Sequence, residues 1–164
     1  MRPVLIVLSA ALVVASSAGS LAQETKKRFG SWEVSIDTDR FEGKSKIIAS
    51  TVQAGNVLAV RCFPNGVSVV VGELGFGSGR FDEGMEFEIK FRADKNDIIE
   101  TSGMALNDRI VQIEDSAPMA RQMRDAKEAA FRLSYRGVTV DKVFKLKGSG
   151  KALAEIFNAC PDPA

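Results

Sequence analysis

The stretch MEFEIKFRA, residues 85–93, decides the fold class. Met85, Phe87, Ile89, Phe91 and Ala93 take every second position, and Glu86, Glu88, Lys90 and Arg92 fill the gaps. Successive side chains of an extended chain point to opposite faces, so the pattern describes a strand with one buried and one wet face. The same period recurs in SWEVSI from Ser31, SKIIASTV from Ser45, NVLAVRC from Asn56, VSVVVG from Val67, DIIETSGMAL from Asp97, DRIVQI from Asp108, AAFRLSY from Ala129 and VTVDKVFKL from Val138, about nine strands in all.

The connections are short. Pro64-Asn65-Gly66, residues 94–96, Asn107-Asp108 and Arg136-Gly137 separate successive runs. Asn-Gly is the clearest of these, because it tolerates the positive φ of a tight hairpin. Short strands joined this way pair antiparallel, so the expected fold is all-β: a β-sandwich or a partly open antiparallel barrel.

Two segments have helical spacing instead. In SAPMARQMRDAKEA, residues 116–129, Ser116 is placed to cap, Pro118 falls in the first turn, and Met119, Met123 and Ala126 share a side. Arg121 with Asp125 and Arg124 with Glu128 are four apart, which pairs them on a solvated face. The methionines read as core, an adaptable binding surface being the alternative. The second segment is GSGKALAEIFNAC, residues 148–160. Here Gly148 ends the last strand, Ser149 caps the helix, and Leu153, Ile156, Phe157 and Cys160 form a stripe that packs on the sheet. GSGK is not a phosphate loop. Lys145 stands where that loop needs glycine, Ala152 stands where it needs Ser or Thr, and the loop belongs to parallel α/β sheets.

The chain contains no histidine among its 164 residues. That removes Ser-His-Asp and Cys-His nucleophile systems, His-containing zinc sites and histidine pH switching. Asp37 with Asp39, and Glu114 with Asp115, are carboxylate pairs of the kind a two-carboxylate mechanism uses, but they read as solvated turn residues. A calcium loop beginning at Asp37 fails at Phe41 and Glu42. No catalytic residue, cofactor or metal is expected. GELGFGSGRF, residues 72–81, also fails as a dinucleotide loop, since Arg80 stands three positions after Gly77 and no helix follows. Its Phe76, Arg80 and Phe81 are candidate contacts for a partner.

Residues 1–22 read as a secretory signal peptide. They comprise Arg2, an apolar run over residues 4–15, and Ser20-Leu21-Ala22 ahead of the cut. The apolar run is shorter than the roughly 20 residues of a membrane span, so no membrane insertion is expected after cleavage. Residues 23–164 then form one domain. Arg2 is the only charge lost, so 22 basic against 21 acidic residues becomes an even balance. Neither nucleic acid nor anionic lipid finds the basic excess it needs. Cys62 and Cys160, in a chain addressed to an oxidising compartment, are expected to form one disulfide.

The tryptophan strand GSWEVSIDTD, the strand ending LAVRC, the alternating Phe/Ile strand, the central Met/Arg helix and the terminal F-x-L-x-G…AL..I..AC together resemble periplasmic accessory proteins of type VI secretion of the VasI kind. The resemblance spans roughly residues 31–160. It implies an exported, non-enzymatic protein with Cys62 and Cys160 as the matching cysteine pair. The FGSWEV opening also resembles, more weakly, the invasion-associated locus B proteins, another exported β-rich family. The expected function is therefore an envelope accessory or adaptor protein, periplasmic or secreted, that binds another envelope or secreted protein. The alternatives are a cell-wall-active enzyme using carboxylates and a binder or inhibitor of a wall hydrolase.

Overall fold

A computed structural model describes residues 24–38, 45–63, 66–74 and 81–160. Its elements are β1 (Thr25–Phe29), β2 (Trp32–Thr38), β3 (Ser45–Gln53), β4 (Asn56–Phe63), β5 (Gly66–Glu73), β6 (Glu86–Ala93), β7 (Ile99–Ala105), β8 (Ile110–Ile113), α1 (Ala117–Asp125), β9 (Glu128–Tyr135), β10 (Val138–Lys145) and α2 (Ser149–Ala159). All ten strands form one sheet in the order β1-β2-β3-β4-β5-β8-β7-β6-β9-β10. Every pairing is antiparallel, and the sheet is open, with β1 and β10 at its edges. The antiparallel all-β fold with two helices, the last packed on the sheet, is what the periodicity predicts.

The turns explain the register. Arg136 (φ 47°) and Gly137 (φ 81°) both adopt the left-handed conformation, as do Ala54 (φ 49°) and Gly55 (φ 78°). Two such residues in succession make the hairpin turn whose twist matches that of the strands it joins. At the β7–β8 turn Asn107 Oδ1 accepts hydrogen bonds from the backbone N–H groups of Arg109 and Ile110, both at 2.9 Å.

One face of the sheet is predominantly apolar, with Thr51 and Lys142 as buried polar exceptions. Trp32, Val34, Ala49, Leu58, Val60, Val69, Val71, Phe91, Val111 and Phe131 are fully buried there together with Met119 and Met123 of α1 and Leu153 and Ile156 of α2. Phe131 links β9 to its neighbours on both sides, with ring centroids 4.9 Å from Phe91 and 6.1 Å from Phe144. Each of these large side chains contributes about 1.5–3 kcal/mol by leaving water.

The last strand also reaches the far half of the sheet without a backbone ladder. The side-chain amide of Gln53 donates to the Lys145 carbonyl at 2.7 Å, and its oxygen accepts from the Lys145 N–H at 2.9 Å. Ser31 N–H and Oγ both donate to the Lys147 carbonyl at 3.1 Å. The buried ammonium of Lys142 donates to Asn56 Oδ1 and Glu73 Oε1, each at 2.8 Å. β10 and its exit thus touch the β1–β2 turn, the β3–β4 hairpin end and the end of β5, which holds the open sheet curled.

Four local features differ from the sequence reading. β1, sequence TKKRF, is a tenth strand paired with β2 over its whole length, and its first four residues are exposed. An edge strand carrying Lys26, Lys27 and Arg28 has no apolar alternation to betray it, and such charges discourage pairing with another chain. α1 stops at Asp125, because the Asp94 carboxylate accepts hydrogen bonds from the Lys127 and Glu128 N–H groups at 3.0 Å and Glu128 opens β9. Arg124 consequently pairs with Asp125, at 2.8 Å, and Glu128 pairs with Lys145. Ser116 occupies the N-cap position of α1, but its hydroxyl donates back to the Ile113 carbonyl and does not cap. The N-cap of α2 is Gly148 at φ +98°, while the expected cap Ser149 lies buried inside the first turn, 3.4 Å from the Arg124 carbonyl.

Candidate functional site

An open cleft of about 860 Å³ lies between the β4–β5 end, the end of β8 and the start of α1. Phe63, Ser68, Gln112, Glu114 and Ser116 help to line it. The strand order produces the site: β8 pairs with β5, so Gln112 comes beside Val70 and one strand away from β4.

Arg61 does not line the cleft itself: it stands on the outer face of β4, opposite Ser68 of β5 in the register, and touches three residues that do. Its Nη2 donates to Ser68 Oγ at 2.9 Å and to Gln112 Oε1 at 2.7 Å. Its guanidinium carbon lies 5.0 Å from the centroid of the Phe63 ring, within cation–π range. Its Nε is buried without an acceptor. Burial lowers the guanidinium pKa from its ordinary value. The sequence carried a trace of this site: LAVRCF sets one arginine in the wet register of an otherwise apolar strand. It did not show which neighbours would surround that arginine.

The residues singled out from sequence are dispersed. Phe76 and Arg80, with most of the glycine-rich loop, lie outside the described residues. Phe81 is partly buried against the core, its ring edge-on to Phe87 at 5.0 Å and its N–H donating to the Asp108 carbonyl at 3.2 Å. Asp37 is exposed at the end of β2, Asp39 lies outside the described residues, and Glu114 and Asp115 are both exposed. No group of three or more metal-ligating side chains occurs among the described residues. No described helix is long and apolar enough to cross a membrane. Residues 1–22, read as a leader, lie outside the described residues.

Cys62, on the inner face of β4, and Cys160, at the end of α2, are brought together as buried thiols. They are not bonded to each other. Cys160 Sγ donates weakly to the Phe63 carbonyl at 3.7 Å. Burial pushes the Cys62 thiol up to about 12, helped by the hydrogen bond and charge of Cys160.

The chain matches no family model, and no characterised protein or solved structure is detectably similar to it.

Proposed function

We propose that this chain is an exported envelope accessory protein, associated with secretion, that acts by binding another protein and not by catalysis. One observation carries the reading: at the margin of the cleft Arg61 stacks on Phe63 and holds Ser68 and Gln112, and an arginine, an aromatic ring and adaptable polar groups together have the composition of an interface hot spot. The leader-like residues 1–22 support the export step. A photo-crosslinking residue at Ser68 should yield one adduct of defined mass in the cell envelope, and the same residue at Ser134 should not. Equal adducts at both positions, or none at either, would overturn the reading.

The same reading includes a Cys62–Cys160 disulfide in the mature protein. Closing a loop of roughly 100 residues stabilises by about 4–5 kcal/mol in the chain-entropy model. Mass spectrometry of unreduced mature protein should show the bond, and two free thiols would refute it. In the reduced protein the Cys62 thiol, with an ordinary value of 9.0 raised to about 12, should form about 1,000-fold less thiolate than in the unfolded chain at pH 8. Iodoacetamide should therefore modify it correspondingly slowly until urea is added. Because the folded value lies above the unfolded one, this group's contribution to stability is intact below pH 9 and is lost as pH rises toward 12.

A further inference from the structure

Arg61 is a half-buried cation with no counter-charge: among the described residues its hydrogen-bond partners are the neutral oxygens of Ser68 and Gln112, and no carboxylate lies within ion-pair range. Those two bonds use both Nη2 hydrogens. Nη1 makes no hydrogen bond to any described residue, and Nε is enclosed without an acceptor. A charge taken partly out of water without a partner costs stability, and a buried polar atom without an acceptor calls for an explanation. The acids that line the adjoining cleft do not supply one. Glu114 accepts from Ser102 Oγ at 2.5 Å, and Asp115 is exposed.

We propose that Arg61, at the margin of the cleft, receives a carboxylate side chain, an aspartate or glutamate of the bound protein, which accepts from Arg61 Nη1 while its aliphatic stem lies against Phe63. The proposal rests on the adaptor reading above and names the group that the site recognises. Guanidinium is the natural donor for a planar carboxylate, and the hydrogen bond is strengthened because both groups carry charge. Ser68 and Gln112 hold the guanidinium in place before binding, which lowers the entropy lost when the complex forms. Glu114 and Asp115 set the selectivity. They tolerate one negative charge neutralised by Arg61 and repel a second, so a phosphate dianion or a nucleic acid is disfavoured.

The probe is an acetylated and amidated Gly-Glu-Gly peptide, with Gly-Gln-Gly as its neutral counterpart, titrated at low salt against the isotope-labelled protein. The glutamate peptide should shift the Arg61 Nε–H, the Gln112 side-chain amide and the Ser68 backbone amide, with a dissociation constant on the order of millimolar and weakening with salt. R61Q should reduce affinity by about tenfold or more, and R61K, which keeps the charge but loses the planar fork, should fall between. A folded spectrum for R61K keeps the test valid should R61Q unfold. Equal binding of the glutamine peptide, tighter binding of inorganic phosphate, no binding of either peptide, or undiminished shifts in R61Q or R61K would each overturn the proposal. Failure here with a defined Ser68 crosslink would sink the carboxylate and leave the adaptor. Peptide binding without any crosslinked protein would do the reverse.

Discussion

Gly148→Ala should unfold this protein more readily than any other added methyl group, at a cost of about 3–5 kcal/mol. Gly148 sits at φ +98°, and a Cβ built there would lie 2.0 Å from the Phe29 carbonyl oxygen and 2.6 Å from its carbon. The obstruction is backbone and cannot swing aside as a flexible side chain can. Gly30 meets the same turn from the other side, its own Cβ position falling 2.4 Å from the Lys147 oxygen. The two turns therefore interlock, and Ser31 fastens them through N–H and Oγ to Lys147. A methyl group at Gly148 separates them, weakening these hydrogen bonds and moving the start of α2. Gly137→Ala isolates the backbone component, because Gly137 also has positive φ (81°) but nothing lies within 4 Å of its Cβ position. That control should lose only about 1–2 kcal/mol. Urea unfolding of both variants decides the matter: equal losses would mean that the interlock contributes nothing.

That glycine marks how far the sequence could be read. The switch from period two to helical spacing placed a strand before residue 148 and a helix after it, and of the expected stripe Leu153, Ile156 and Cys160 are buried while Phe157 is partly buried. The carbonyl of Phe29 against Gly148 was not legible, since it joins opposite ends of the domain and leaves no local pattern. β1 was missed for a related reason: TKKRF gains its strand conformation from pairing with β2 and not from its own composition. At Asp125 an alanine-rich continuation that favours helix was overridden by β9 pairing with β6 and by the Asp94 carboxylate. Arg61 was missed as a site, since NVLAVRC reads simply as an apolar strand. Its lack of a counter-charge among the described residues is a property of the β4–β5–β8 neighbourhood, which depends on β8 joining β5 across an intervening hairpin.

Lys142→Ala should cost about 3–5 kcal/mol, comparable with the glycine interlock, through electrostatics in place of sterics. The Lys142 side chain is 2% exposed, so its ammonium depends on Glu73 Oε1 and Asn56 Oδ1 for the solvation that water no longer provides. Asn56 and Glu73 are themselves partners in the β4–β5 register, and the lysine bridges that pair to β10. Removing it leaves the partly buried Glu73 carboxylate without the ammonium and cuts an attachment between the last strand and the first half of the sheet. Two causes are mixed in this loss, the stem's packing and the ion pair, and a double-mutant cycle separates them. Lys142→Met keeps most of the stem and Glu73→Gln removes the charge. If the pair is coupled, the double variant should be less destabilised than the sum of the single ones by about 1–3 kcal/mol. Additive losses in urea unfolding would show that the ion pair contributes nothing and that Lys142 acts through its hydrocarbon stem alone. Amide exchange gives an independent reading. Lys142→Met should speed exchange in β10 and at the β3–β4 hairpin end while leaving β6 and β7 protected, because the lysine holds the curl of the open sheet and not its ladder.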